Sequence, residues 1–373
     1  MEIGWVYRTP VLKRIPEQRD TVDRITTYGS DNLYPQRMRE IYLLSPTTKS
    51  AVNLMASFIR GDGFENGDTV VNRFGETAND ILELVANDKA LYNGYAILVN
   101  SNALGFAVEI QHIPFEFVRL GLIDQSGRAA TVAVSNNWEG SNRDKLPEDI
   151  ERITRYRLYR GNEAAAEATR GRGMVMYVTP ERYCYPISTI DAIIETSQSD
   201  NELQLFELGN LTNGFLSMSV FKMPVDSDLE SEQDKIREKL KELQGAKNAN
   251  SVLVAAVPED WNGGDLVEPI PANNNDTLFT QTTLNVKNRI CHNFALPPAL
   301  LGMLPEGSVF TQDQIADNYT YMNLQTKDTR NHIERNFQKL GLNFGRIIPN
   351  QFESSQMLDN NGPTERQPMD SEV

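Results

Sequence analysis

An α+β fold is predicted by three observations. Short strand-like runs punctuated by Gly, Asn and Pro fill residues 95–178. Two long stretches, 187–208 and 311–340, contain neither Gly nor Pro and carry apolar residues at helical spacing. Between them an amphipathic helix runs into Pro297 and Pro298, which remove two backbone donors and push the preceding residue out of the helical region. That helix must stop or kink, and the chain resumes as a glycine-bearing loop over 302–310.

Each element has a local reason. Ser45 before Pro46 is a helix start, a capping side chain followed by a residue whose missing N–H is harmless in the first turn. Ala51, Val52, Met55, Phe58 and Ile59 then form one apolar face, closed by Gly61 and Gly63. A helix over 77–91 places Ile81, Leu84 and Val85 inward, and Asn93 and Gly94 lead into a strand at 95–100. Further strands are predicted at 106–114, 117–123, 130–135, 153–159 and 174–178.

After Pro186 the pattern changes to a long helix, 187–208, with Ile190, Ile194, Leu205 and Leu208 near one face. A strand at 215–223, a charged helix at 227–243 and a strand at 251–257 make a small β-α-β insert. The second long helix begins near Thr277, aligns Phe279, Val286, Ile290 and Phe294, and ends at the double proline. Thr311 and Gln314 fit a capping box for the last helix, whose face carries Ile315, Tyr319, Met322, Ile333, Phe337 and Leu340. Thr326 and Thr329 fall where the period asks for apolar groups, so this stripe faces either another polar surface or solvent. Residues 350–373 have few apolar side chains and two prolines and are expected to be disordered. There is no internal repeat.

Composition narrows the function. The 373 residues have room for two or three compact units of about 150 residues each. The longest apolar runs, such as 252–257, fall far short of the ~20 residues that span a bilayer, so no membrane segment is expected. The opening MEIGWVYRTP lacks a basic region followed by an apolar stretch, and no export is expected from it. Cys184 and Cys291 are the only cysteines, too few for a disulfide framework or a cysteine-rich zinc site. The net charge of −15 argues against a protein that grips DNA through its phosphates. It is compatible with one that handles DNA without holding it, since an acidic wall repels phosphates over roughly 8 Å at physiological salt.

Catalytic motifs are missing. No Gly-x-x-x-x-Gly-Lys-Ser/Thr, HExxH or GxSxG string occurs, and His112, His292 and His332 are scattered. Cys291 and His292 are neighbours on a helix, where adjacent residues do not face each other, so they read as packing residues and not as a nucleophile with its base. No enzymatic activity, cofactor or metal is expected. One basic cluster stands out, Arg152, Arg155, Arg157 and Arg160 with Arg170 and Arg172. It reads as a solvated strand edge or as ion pairs with an acidic neighbouring subunit, with nucleic-acid contact as the other possibility.

Four strings, in this order, resemble the portal proteins of tailed bacteriophages, particularly the short portals of siphophages. They are SPTTKSAVNLMASFI at 45–59, DKALYNGYAILV at 88–99, NELQLFELGNLTNGFLSMSV at 201–220 and NRICHNFALPPALLG at 288–302. The last is the strongest match, a helix ending in Phe, a short spacer, Pro-Pro and Leu-Leu-Gly. The resemblance implies a portal fold: an α/β wing, two long stem helices, a small β-α-β clip and a long wing helix, in a ring-forming subunit. The implied divisions are 1–186 for the N-terminal part of the wing, 187–212 for the first stem helix, 213–270 for the clip and 271–298 for the second stem helix. A tunnel loop follows at 299–311, then the wing helix and C-terminal part at 312–349, and a disordered tail at 350–373 with the crown reduced or absent.

The function implied is that of a ring, expected to be dodecameric, at one capsid vertex. It would pass double-stranded DNA inward and outward without reading its sequence. Implied partners are the terminase large subunit, the major capsid or scaffolding protein and neck or adaptor proteins, in a virion assembled in the host cytoplasm. The candidate tunnel loop is Met303, Leu304, Pro305, Glu306, Gly307, Ser308, Val309 and Phe310, launched by the helix break at Pro297 and Pro298. Twelve copies would carry on the order of −180 charges, a field unfavourable to phosphate binding in the bore. Two other readings remain open at this point: another head-tail adaptor or minor head protein, and a DNA-processing enzyme whose metal is held by carboxylates.

Overall fold

The computed structural model describes residues 19–20, 23–102, 104, 106–123, 129–139, 153–159, 173–179, 185–213, 218–224, 252–257, 267–270, 276–303 and 312–352. The chain divides into two compact units, one drawn from 1–42, 48–192 and 291–373, the other from 43–47 and 193–290.

The first unit opens with β1 (Arg19–Asp20) and β2 (Ile25–Thr26), an antiparallel pair. Helices α1 (Tyr34–Leu44) and α2 (Pro46–Arg60) follow, then β3 (Gly63–Phe64) and α3 (Ala78–Tyr92). Strands β4 (Tyr95–Ser101), β5 (Ala107–Ile113), β6 (Val118–Leu120), β7 (Thr131–Val134), β8 (Thr154–Leu158) and β9 (Met174–Val178) form one sheet in the order β5-β4-β9-β8-β7-β6. Only β8 and β9 run parallel. The α+β reading therefore holds, and all six strands stand within a few residues of where they are expected, with β6 cut to three residues.

Helix α3 forms where its sequence says it should. Thr77 and Asp80 make a reciprocal capping box, and Asn93, left-handed at φ 60°, closes the helix with its N–H on the Lys89 carbonyl. The buried face is Ile81, Leu82, Val85 and Ala86, while Leu84 lies on the exposed flank against the expectation. Each fully buried Ile, Leu or Val here contributes about 2 kcal/mol. Asp88, on the same helix, accepts from His112 of β5 at 2.7 Å and from the Phe115 amide at 3.0 Å, tying helix to sheet. Burial raises the Asp88 carboxyl pKa, and those two partners pull it back.

Arg119 of β6 is fully buried. Its guanidinium donates to Asn32 Oδ1 at 2.7 Å, the Asn32 carbonyl at 2.6 Å, Gln36 Oε1 at 3.0 Å, and the Glu116 and Val118 carbonyls at 2.9 and 2.8 Å. It also sits 5.6 Å from the ring centre of Tyr28 and 5.2 Å from that of Trp138. Tyr28 in turn stacks on Tyr185 at 4.1 Å and Tyr34 at 5.1 Å. Loss of hydration pushes the Arg119 pKa down to about 10, which leaves it charged at neutral pH.

The basic cluster needs a correction. β8 is an interior strand, so Arg155 and Arg157 are not on a sheet edge; they stand on its exposed face, with Arg155 donating to the Asp23 carbonyl at 2.8 Å. Arg152, Arg160, Arg170 and Arg172 lie outside the described residues.

The last long helix is α6 (Gln312–Lys339). The polar stripe expected there turns inward: Thr326 is buried, its hydroxyl donating to the Met322 carbonyl and accepting from Arg330. Arg330 is buried too, and its other bonds go to the carbonyls of Phe58 in α2 and Asn323, at 2.8 and 2.7 Å. Thr326 therefore serves a buried guanidinium, the polar-surface alternative, while Thr329 is half-buried.

The second unit holds α4 (Ile194–Asn213), strands β10 (Met218–Pro224), β11 (Val252–Val257) and β12 (Val267–Ile270), and most of α5 (Asp276–Asn293). β10 pairs parallel with β11 and antiparallel with β12. The parallel pair is the two-strand part of the expected insert; its helix at 227–243 lies outside the described residues, and β12 was not anticipated. Phe206 of α4 stacks on Phe279 of α5 with ring centres 4.7 Å apart. Leu205 and Leu208, expected inward, are more than half exposed, as are Phe206 and, on α5, Leu284.

α4 starts seven residues later than predicted. Ser188 and Thr189 explain the delay, because their hydroxyls donate to the Leu91 and Ala90 carbonyls at 2.7 and 2.5 Å and hold that segment against the end of α3. The start of α2 also differs from expectation, since Ser45 shares its role with Asp200 of α4. The buried Asp200 carboxylate accepts from Ser45 Oγ at 2.7 Å and from the Thr47 amide and hydroxyl, both at 3.2 Å. A carboxylate at a helix N-terminus satisfies an orphan amide and meets the positive end of the dipole. Asp200→Ala should lower stability by about 2 kcal/mol and Asp200→Asn by about half as much, read from denaturant midpoints at unchanged slope.

The final elements are α6 (Gln312–Lys339) and β13 (Ile347–Ile348), the latter pairing with β3. On α6 Met322, Ile333 and Phe337 are buried, followed by Leu340, whereas Ile315 and Tyr319 are half-buried. Gly61 has φ 61°, and a Cβ there would meet the Ile348 carbonyl oxygen at 2.0 Å, so only glycine fits beneath β13.

Candidate functional site

The helix break is a compact double reversal. α5 stops at Asn293, short of the double proline that was expected to end it. Ala295 is left-handed at φ 50°, its N–H donates to the His292 carbonyl at 3.1 Å, and the Leu296 N–H donates to the Cys291 carbonyl at 2.9 Å. Those two bonds close the helix as a Schellman motif, with Ala295 where glycine is usual. The prolines keep the helix from restarting; the carbonyl bonds end it. Ala295→Gly removes a left-handed Cβ, and the expected result is a gain of about 0.5 kcal/mol after the unfolded-state entropy of glycine is counted. A loss on unfolding measurements would mean that the Ala295 methyl packs usefully.

Pro297 is extended, at φ −60° and ψ 123°, and Pro298 opens a 3-10 turn over Pro298–Leu301. Gly302 is left-handed at φ 74° and donates to the Ala299 carbonyl; Met303 N–H returns to the Pro298 carbonyl at 3.1 Å. A Cβ at Gly302 would meet nothing within 4 Å, so the backbone angle alone calls for glycine. Leu304, Pro305, Glu306, Gly307, Ser308, Val309 and Phe310 lie outside the described residues, as does Thr311, the expected cap of α6.

The break is anchored. Asn293 Nδ2 donates to the Thr189 carbonyl at 2.8 Å, and Thr189 is itself bonded to the end of α3 through Ala90 and Leu91. Cys291 is buried and Leu296 with it, while His292 is exposed, so thiol and imidazole point apart. Burial pushes the Cys291 thiol pKa up, away from a reactive thiolate. The site redirects the chain between two long helices, and the described residues place no acid–base pair at it.

Asp200, Ala295 and Arg330 were not singled out by sequence. Each acts through a contact with residues far away in the chain or through backbone angle, and only the Phe-Ala-Leu-Pro-Pro string carried a local hint. Among the described residues no three His, Cys, Asp or Glu side chains gather as a metal site, and no helix is long and apolar enough to cross a membrane.

No protein-family model matches the chain, and no curated protein matches it. Solved structures do. The chain is similar to one in the virion of a native gene transfer agent particle, with a TM-score of 0.53 and 12% identity over 83% of this chain and 82% of that one. It is similar to a chain in the neck of a native gene transfer agent particle computed with C12 symmetry, at 0.48 and 13% over 77% and 75%. A third likeness is to an HK97-family phage portal protein from Corynebacterium diphtheriae, at 0.46 and 12% over 80% and 89%. The likeness to the virion chain is one of fold, and it spans both units.

Proposed function

We propose that the chain is a phage portal protein. Twelve copies would form a ring at one capsid vertex, conduct double-stranded DNA during packaging and ejection, and dock the terminase motor and then the neck proteins. The observation that carries this reading is the order of parts after residue 190: a long helix, a small sheet, a second long helix, an anchored double reversal and a third long helix. The fold shared with the gene transfer agent virion chain supports it, as do the four strings that resemble portals.

In this reading α4 and α5 are the stem, the β10–β12 sheet belongs to the clip, α6 with the six-stranded unit is the wing, and residues 303–310 are the tunnel loop. The exposed Leu205, Phe206, Leu208 and Leu284 suit helices that meet other copies, since apolar groups clustered in water mark contact surfaces. The chain acts by shape and charge, and DNA passes without base readout, which would need side chains held in the grooves.

Negative-stain images of the purified protein test the proposal. Rings with a central hole are expected, and a population of monomers without rings would overturn it. DNA affinity of the ring should be weak and nearly independent of salt. Tight binding that falls steeply with salt would contradict an acidic bore.

A further inference from the structure

The six-stranded sheet has one bare end. At β5, Phe106 and Val108 are exposed by 55% and 66%, with Leu104 at 73% just before them, and Val70 and Phe74 at 61% and 71% on the segment alongside. That segment is fixed against β5 by the Ile110 amide on the Val71 carbonyl at 3.1 Å and by a two-pronged Arg73–Glu109 ion pair. Opposite Asn100 and Ser101 the ladder skips from Glu109 to Ala107, so Val108 is the extra residue of a bulge and stands clear of the pairing. Five large apolar side chains expose on the order of 500 Å² here, the size at which a patch marks a contact surface. The bulge discourages another sheet from continuing the ladder but leaves the apolar side chains open to a covering segment.

Residues 1–18 lie outside the described residues, and their sequence suits the patch. Ile3, Trp5 and Tyr7 alternate with Glu2, Gly4, Val6 and Arg8, a strand pattern with one apolar, largely aromatic face. We propose that residues 2–9 of one copy lay this face over Val70, Phe74, Leu104, Phe106 and Val108 of a second copy.

The point where the arm leaves the fold argues for the second copy. β1 pairs with β2, and Ile25 of β2 bridges Gly121 directly after β6, so Arg19, which follows these residues, lies at the edge opposite β5. Five strand spacings of about 4.8 Å put roughly 24 Å between the two edges. Residues 10–18 reach about 30 Å fully extended, and Pro10 and Pro16 interrupt them. With α3 standing on the β4–β5 end, an arm returning to its own β5 would be drawn taut over an obstructed path. Two copies meeting β6 edge to β5 edge need no such stretch. The inference requires only that copies meet, and so it is separable from the portal reading.

The test is a photo-crosslink in the full chain. Trp5 is replaced by p-benzoylphenylalanine, an aromatic that keeps the pattern, in an equimolar mixture of isotopically heavy and light chains. Adducts are expected on peptides holding 70–74 and 104–108, with half of them joining heavy to light. Adducts joining only like to like would place the arm on its own chain, and adducts elsewhere or none would leave the patch to another partner; both overturn the proposal. As a second measurement that needs no crosslinker, deleting residues 2–9 should speed hydrogen exchange at Phe106 and Val108, and unchanged exchange also overturns it. Rings without these adducts refute this inference alone, and heavy-light adducts without rings refute the portal reading alone.

Discussion

Arg119→Ala should cost about 4 kcal/mol. Five oxygens that now accept from the guanidinium would be left in a place water does not reach: those of Asn32 side chain and backbone, Gln36, Glu116 and Val118. Tyr28 and Trp138 would lose the cation between them, and a cavity would open at the end of the six-stranded sheet. Arg119→Met separates these effects. It fills most of the volume and restores none of the bonds, so it should recover about half of the loss. Denaturant unfolding at unchanged slope is the measurement, and an Arg119→Ala midpoint close to that of the natural chain would show that the network contributes little. The buried charge is compensated by dipoles and ring faces, an arrangement whose removal leaves many acceptors stranded at once.

If the chain is the portal proposed above, replacing residues 303–309 by a Gly/Ser segment of equal length should leave rings intact while DNA packaging or retention falls by an order of magnitude or more. The reversal before the loop is held by its own backbone bonds and by Asn293 on Thr189, none of which involves the replaced side chains. Met303 therefore leaves from a fixed base, and in the proposed portal the replaced side chains should be felt by the DNA that passes. Loss of the rings themselves, seen in the same images, would instead assign these residues to contacts between subunits. Glu306 is the one charged residue among them, so Glu306→Gln separates charge from shape.

Legibility in the sequence followed the range of the interactions. α3 could be read because its cap, its apolar period and its Asn-Gly exit are all local, and the sheet strands because each is bounded by its own turn residues. Most of the apolar face expected for α5 is buried, Val286 and Ile290 with Phe294 just past its end, while Phe279 is half-buried. α1 was overlooked although Tyr34, Met38 and Ile41 carry a helical period, and all three are buried. β3 and β13 have two residues each and exist only because they pair across most of the chain. Asp200 looked like any acid in an acidic protein; its value comes from Ser45 and Thr47, some 155 residues earlier. The prolines were expected to end α5, but the helix closes before them at Asn293, through two carbonyl bonds and one left-handed alanine that residue types do not announce.

The pairing of β3 with β13 has a consequence for how the subunit comes into being. Phe64 and Gly63 wait for Ile347 and Ile348, and the Phe58 carbonyl waits for Arg330, made 272 residues later. At the usual pace of synthesis the interval is roughly 15–60 s. For that time the end of α2 and the strand after it have a slot and no occupant. A nascent chain halted before α6 therefore has an open seam in the very unit that was begun first, and synthesis of α6 and β13, more than any early collapse, is the event that seals it. A copy cut short before β13 is therefore marked by its own missing strand before it can join another.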